Sequence, residues 1–288
     1  MNVARAPEEL EPRPRAVAIG TFDGVHLGHR RVVEAAKAAG LRTTVVTFDP
    51  HPRAALGNRV ELISTLERRL ELLAELGVEQ TLVVTFTPDL ALITPAQFAD
   101  SVLRTIGANV VAAGANFRFG RGRSGDLTTL EQVGFDVRPV PLVEHTSSSR
   151  IRQLIGAGEL RPAAELLGRP PEVEGTVVAG DARGGTLGYP TANLAVPPDL
   201  LVPAYGIYAG EALGHRVAMS VGVNPHYGGE ERRVEAFLLD FEGDLYGRRL
   251  VVELWERLRD ERAFGSEEEL VAQIGRDVEA ARAARRPI

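Results

Sequence analysis

Two histidines three residues apart, His26 and His29 in TFDGVHLGHR (residues 21–30), follow a short apolar run and a glycine. Their place and spacing admit three roles: metal ligands, ligands of a nucleotide phosphate, or plain helix-start residues. A zinc-peptidase helix sets its histidines four apart with Glu after the first, and this stretch has neither feature. The phosphate reading gains from its surroundings. Gly20 and Gly24 let backbone approach a ligand closely, and free amides at a helix N-terminus attract anions. Imidazole N–H groups there can donate where negative charge develops. A second cluster, HTSSSRIRQLI (145–155), brings Ser148, Ser149 and Arg152 to another helix start. Hydroxyls and a guanidinium can cradle phosphate there, although the same residues also read as a serine cap on a surface helix.

A different chemistry is suggested further along. GDARGGTLGYPTANL (180–194) is glycine-rich but lacks the Gly-Lys-Ser/Thr ending of a P-loop. It reads either as a turn between strands or as a ligand loop. Thr191 and Asn193 stand two apart, so in extended backbone they point to one side. A hydroxyl and an amide oxygen are suitable hard ligands for Mg²⁺. Glu235, inside the apolar run RRVEAFLLDF (232–241), is either a solvated strand residue or a base at a pocket mouth. By strand parity Glu235 and Phe237 share one face, and Ala236 and Leu238 the other.

These residues need elements to hold them. Residues 16–20, 43–48, 80–86 and 109–114 are strand-like, and helical patterns separate them. In STLERRLELLAELG (64–77), Ser64 and Glu67 form a capping-box pattern. Leu66, Leu70 and Leu73 then make the expected apolar face. Pro95 opens another helix that Gly107 closes. Such βαβ alternation predicts a doubly wound parallel sheet with helices on both faces. Ligands sit beyond the carboxyl ends of such strands, which is where residues 21–29 fall. Beyond the Pro170–Pro171 pair, a plausible hinge, the rhythm changes to short β-rich segments between Gly and Pro turns, the mark of an antiparallel barrel or sandwich. The chain closes on a helical pattern (266–286) with Ser266 and Glu269 as a second capping box. Leu270, Ile274, Val278 and Ala281 form its apolar face. The boundary is expected near residues 168–172.

Composition narrows the choices. The chain has no cysteine, which excludes disulfides, iron–sulfur clusters, thiolate zinc sites and a cysteine nucleophile. A net charge of −6 argues against a nucleic-acid binder. No apolar run approaches the ~20 residues that cross a bilayer. The first fifteen residues lack the apolar core of a secretory signal. They are expected to be an arm leading into the first strand of a cytoplasmic protein.

Together, GTFDGVHLGHR, TFDPHP (47–52), GANFRFGRGRSGD (114–126) and SSSRIR (147–152) resemble the adenylyltransferase module of bacterial bifunctional riboflavin kinase/FAD synthetases. Residues 172–288 resemble the riboflavin kinase module of the same family, through GDARGGTLGYPTANL, YGIYAG, SVGVNP, VEAFLLDFEGDLYG and LRDERAFGSEEEL. The resemblance implies a nucleotidylyltransferase domain over 1–168 and a small antiparallel β-barrel domain with a C-terminal helix over 169–288. It implies two reactions. ATP phosphorylates riboflavin to FMN, and FMN then attacks the α-phosphorus of a second ATP, giving FAD and pyrophosphate. In the first module, Gly20, Phe22 and Gly24 would bind nucleotide, His26 and His29 its phosphates, Asn116 the reacting groups, and Ser148, Ser149 and Arg152 the leaving pyrophosphate. In the second, Gly180, Gly184 and Gly188 would wrap ATP, Thr191 and Asn193 would hold Mg²⁺, and Glu235 would act as base. Small-molecule substrates are implied, with no nucleic acid, membrane or obligate protein partner. The chain departs from the family where Asn116 often is Asp, Ser149 often Thr, Gly185 usually Arg, and Pro225-His226-Tyr227 usually Pro-Thr-Phe. Other readings are a single-activity FAD synthetase with a weakened kinase, a silent flavin- or nucleotide-binding sensor, and, more distantly, a zinc hydrolase.

Overall fold

The computed structural model describes residues 1–180, 187–223 and 232–288, so Gly184, Gly185 and the Pro225-His226-Tyr227 departure lie outside the described residues. The chain forms two compact units, one of Met1–Val60 with Thr65–Ser148, the other of Glu61–Ser64 with Ser149–Ile288.

The first unit is built on a six-stranded sheet of β1 (Asn2–Ala4), β2 (Arg15–Ile19), β3 (Arg42–Asp49), β4 (Gln80–Thr85), β5 (Ala108–Gly114) and β6 (Asp136–Val140). The spatial order is β1-β4-β3-β2-β5-β6, and every pairing is parallel. Its helices are α1 (Leu27–Lys37), α2 (Pro52–Ala55), α3 (Leu66–Glu75), α4 (Pro88–Leu92), α5 (Pro95–Phe98), which runs on as a π-helical turn over Ala99–Arg104, and α6 (Leu127–Gln132). Strand alternation divides the core. Val17, Ile19, Val46 and Leu82 pack with Phe98, Val102 and Leu130 on one face. Ala16, Ala18, Val45 and Ala112 pack with Val33, Ala36 and Leu73 on the other. From β2 the chain winds outward through β3 to β4, then returns across β2 to β5. That reversal places a ligand crevice at the carboxyl ends of β2 and β5.

In the second unit β7 (Glu172–Val178), β8 (Ala192–Ala195), β9 (Gly206–Ala212), β10 (His215–Val223), β11 (Arg232–Leu238) and β12 (Arg249–Arg259) close a barrel in the order β10-β11-β8-β7-β12-β9. Val173, Met219, Val234, Ala236 and Leu250 fill it. α7 (Ser148–Ala157) and α8 (Leu160–Leu167) bury Ile151, Leu154 and Leu167 against Ile63 and Leu201. α9 (Glu267–Ala283) lays Ala281 beside Trp255 and Ala209.

Several expectations need correction. The N-terminal arm contains β1, which pairs with β4 at the sheet edge. Three residues are too few to show a period. β6, with Pro139 inside it, was not foreseen. It is an edge strand, where a missing N–H is tolerated. α3 is capped by Thr65, whose side chain accepts from Arg68 N. Of the expected face Leu73 is buried, while Arg69 and Leu72 take the places expected of Leu66 and Leu70, which are half-buried. α9 is capped by Ser266 as expected, but it buries Gln273, Asp277, Val278 and Ala281. In both helices a paired polar group occupies a position that apolar periodicity gives to leucine or isoleucine. The Pro170–Pro171 pair is buried within the second unit, and Leu254 N donates to Pro171 O at 2.8 Å.

Candidate active sites

The turn after β2 is strained. Phe22, Gly24 and Val25 have φ of 51°, 76° and 42°. Glycine adopts such angles freely, whereas Phe and β-branched Val resist them. Each such residue costs on the order of 1–3 kcal/mol and persists only where its surroundings over-determine it. Here Phe22 and Val25 are fully buried. Val25 N donates to Phe22 O at 3.0 Å, and Thr47 Oγ1 donates to Thr21 O at 3.0 Å. At Gly20 a Cβ would lie in ordinary contact with the Phe22 ring.

This turn delivers His26 as the N-cap of α1. Its Nδ1 accepts from His29 N at 3.3 Å. That bond requires Nδ1 to be unprotonated, so a neutral His26 carries its proton on Nε2 and can donate it to a ligand. The two imidazoles stack at 3.6 Å with 15° between planes, and Phe22 lies 5.1 Å from His29. Burial, with the His26 ring and the Arg69 cation beside it, holds His29 well below the usual histidine range. His29 is therefore neutral at pH 7. The N-terminus of α1 and two neutral imidazoles offer N–H groups of the kind that can receive an anion.

Asn116 stands exposed on the turn after β5, where Phe117 N donates to Gly114 O at 2.8 Å. It occupies the other strand end of the crevice between β2 and β5. Ser148 Oγ donates to Asp23 O at 3.2 Å, within the first unit. Ser149 and Arg152 belong to the second unit. Ser149 is exposed, and Arg152 Nε donates to Glu61 O at 2.6 Å.

In the barrel, β8 lies between β7 and β11, and Asn193 is the register partner of Glu235 on one side and of Val178 on the other. Directly opposite residues of adjacent strands share a face. Glu235 also pairs with Ser220 of β10, so Asn193, Glu235 and Ser220 form a polar row across three strands. Val234, Ala236 and Leu238 are buried while Arg233, Glu235 and Phe237 are only partly so, which places the row on the barrel's outer face. Thr191 is partly exposed, two residues before Asn193. A Cβ at Gly180 would collide with the Asn193 amide, so glycine there leaves a cradle. Gly188 has φ +83°, with open space where a side chain would be. Arg233 Nη1 donates to Glu235 Oε1 at 3.2 Å.

Sequence reasoning passed over three participants. Arg69 is buried under the first site, and it lies on the same stripe as Leu73, a visible signal. Tyr189 packs edge-on against Phe237 at 5.5 Å, beside the polar row. Arg233 stands two residues from Glu235 on the same face. Among the described residues, no three His, Asp or Glu side chains converge as metal ligands. No described helix is long and apolar enough to cross a membrane.

Comparison with known proteins divides the chain in a similar way. A family model described as FAD synthetase matches residues 8–152, and one described as riboflavin kinase matches 167–285. The bifunctional riboflavin kinase/FMN adenylyltransferase of Listeria monocytogenes is 36% identical over 93% of this chain and 92% of its own length. That of Escherichia coli K12 is 35% identical over 96% and 93%. That of Bacillus subtilis 168 is 34% identical over 93% and 91%. A crystal structure described as a macrolide-efflux protein from Streptococcus pneumoniae is 33% identical, with a TM-score of 0.86 over 98% of both chains.

Proposed function

The chain belongs to the bifunctional riboflavin kinase/FMN adenylyltransferase family, and from that premise we propose how its residues share the two reactions. The protein phosphorylates riboflavin with ATP to FMN and adenylylates FMN with ATP to FAD. We assign adenylyl transfer to residues 1–168 and phosphoryl transfer to residues 169–288.

In adenylyl transfer a phosphate oxygen of FMN attacks the α-phosphorus of ATP, and pyrophosphate leaves. The amides at the start of α1, with Gly20, Phe22 and Gly24 shaping the approach, receive the nucleotide phosphates. The His26 Nε2–H and the His29 imidazole donate to oxygens that gain charge. Asn116 orients the reacting groups from the end of β5. Ser148, Ser149 and Arg152 hold the leaving pyrophosphate. No side chain need form a covalent bond, because positioning and charge neutralisation suffice.

In phosphoryl transfer Gly180, Gly184 and Gly188 wrap the ATP phosphates. The Thr191 hydroxyl and the Asn193 amide oxygen are the residues that would hold Mg²⁺. They fit it as hard oxygen ligands on one side of an extended segment, beside the cradle at Gly180. When bound, Mg²⁺ would neutralise phosphate charge. Glu235, one strand away from Asn193, takes the proton of the riboflavin 5′-hydroxyl as the hydroxyl oxygen bonds to the γ-phosphorus, whose bond to the bridging oxygen breaks so that ADP leaves. We place the enzyme in the cytoplasm, with small molecules as its only obligate partners.

The register pair Asn193–Glu235 supports this reading, because the proposed base and a proposed metal-holding residue stand directly opposite each other on neighbouring strands. The test is a pair of assays, FMN formation from riboflavin and FAD formation from FMN. His29→Ala is expected to slow FAD formation about a hundredfold or more and to spare FMN formation. Glu235→Gln should slow FMN formation by roughly a hundredfold to ten-thousandfold and spare FAD formation from supplied FMN. Equal effects of either variant on both activities would overturn the assignment.

A further inference from the structure

Arg69 is an arginine where the amphipathic pattern of α3 calls for a leucine. It is 1% exposed, and Nε has no partner among the described groups. A buried cation needs a purpose, since desolvation is costly unless the group is paired. Its partners are all at the first site. Nη1 donates to Phe48 O at 3.1 Å, at the end of β3. The carboxylates facing it are Asp23, in the strained turn after β2, and Asp49, the residue after Phe48.

We propose that Arg69 is a positioning residue for adenylyl transfer, a buried fork that ties the turn after β2 to the end of β3 and sets a fixed cation behind His29. This rests on the reading of His26 and His29 as the phosphate-binding pair. A second tie joins the same two segments, the bond from Thr47 Oγ1 to Thr21 O. Together they explain how Phe22 and Val25 stay at positive φ. The groups facing His29 are His26 from its own turn, the Phe22 ring, and Arg69 from α3. A cation there opposes protonation of the imidazole. His29 thereby stays a neutral ligand even in mildly acidic solution.

The test uses the full chain. FMN formation from riboflavin reports on the second unit, and ring-labelled histidine NMR reports on His29. Arg69→Lys keeps the cation but loses the fork. It is expected to slow FAD formation by about ten- to a hundredfold, chiefly in kcat, because small misplacements remote from the chemistry have effects of that size. It should leave the His29 titration low. Arg69→Gln should slow the reaction at least as much and move both the His29 midpoint and the acid limb of kcat/KM upward. FAD formation within twofold of the parent in Arg69→Lys, or an unmoved His29 midpoint in a folded Arg69→Gln, overturns the proposal. Should Arg69→Gln not fold, Arg69→Lys decides alone: a slowed rate supports the proposal and a parental rate overturns it. His29→Ala separates the two readings. A slow His29→Ala with parental Arg69 variants refutes the positioning role alone. A parental His29→Ala with slow Arg69 variants refutes the phosphate role of His29 and leaves Arg69 as the tie between the two segments.

Discussion

His26 has two duties, and its protonation state joins them. The ring caps α1 through Nδ1, which leaves the proton of the neutral ring on Nε2. His29, stacked on it, is kept neutral by burial and by its neighbours. This has a consequence for stability. In the unfolded chain a histidine takes up a proton below about pH 6.5. In the fold His29 resists doing so until a lower pH. Between those two values the unfolded state binds more protons, so stability falls as pH falls. The first unit should therefore lose resistance to urea as pH is lowered below about 6.5, and His29→Asn should flatten that decline. Circular dichroism of both proteins across pH 5 to 7.5 gives the comparison. An identical decline in the variant would show that His29 titrates normally. The sequence displayed both histidines and their place after a strand. It did not display the stacking, which depends on left-handed angles at Phe22 and Val25 that neither residue type advertises.

At the level of elements, the same limitation recurs in two helices. Periodicity counts apolar side chains, so it assigned the buried stripe of α9 to Leu270, Ile274, Val278 and Ala281. Val278 and Ala281 are buried, but Gln273 and Asp277 are buried with them in place of Leu270 and Ile274. Asp277 Oδ2 accepts from Arg259 Nη2 at 2.7 Å and from Nε at 3.1 Å, and its Oδ1 accepts from Gln273 Nε2 at 2.8 Å. This polar network joins α9 to the end of β12. Removing one member of a buried pair strands the other, at a cost of 3–5 kcal/mol where burial is complete. Arg259 keeps 20% of its side-chain surface in water. Asp277→Ala should therefore cost about 3 kcal/mol, the low end of that range. Trp255, the only tryptophan, packs beside Ala281 of α9, so urea unfolding followed by its fluorescence reads the loss directly. A change below about 0.5 kcal/mol would mean that the network is a solvated surface feature. Strands were more legible than helix faces. β2, β3, β4 and β5 are runs of apolar residues and threonine, buried almost without a break as parallel strands covered on both faces must be.

For the whole molecule, the change of rhythm along the chain was visible and barrel closure was not. Closure depends on β9 pairing with β10 and with β12, and nothing in either strand's pattern distinguishes a barrel from a sandwich. Each unit has its own core, which makes their stabilities separable in principle. Leu250 is 1% exposed within the barrel. Leu250→Ala should cost 2–5 kcal/mol, all of it in the second unit. The expected result is an enzyme that loses FMN formation on mild heating, reported by Trp255 fluorescence. FAD formation from supplied FMN should fall less at those temperatures, because of its proposed site only Ser149 and Arg152 belong to the second unit. Simultaneous loss of both activities would show that the units unfold as one.

The histidine cap sets selection for heat resistance against selection for activity. Ser, Thr, Asn and Asp are the side chains preferred at a helix N-cap. A population screened for thermal survival alone would therefore enrich His26→Asp, trading the Nε2–H donor for a stronger start to α1. In the proposed phosphate site, that carboxylate would repel the nucleotide phosphates. Cells that must make their own FAD should purge the same change. Position 26 is thus a place where a more stable protein and a working one call for different residues.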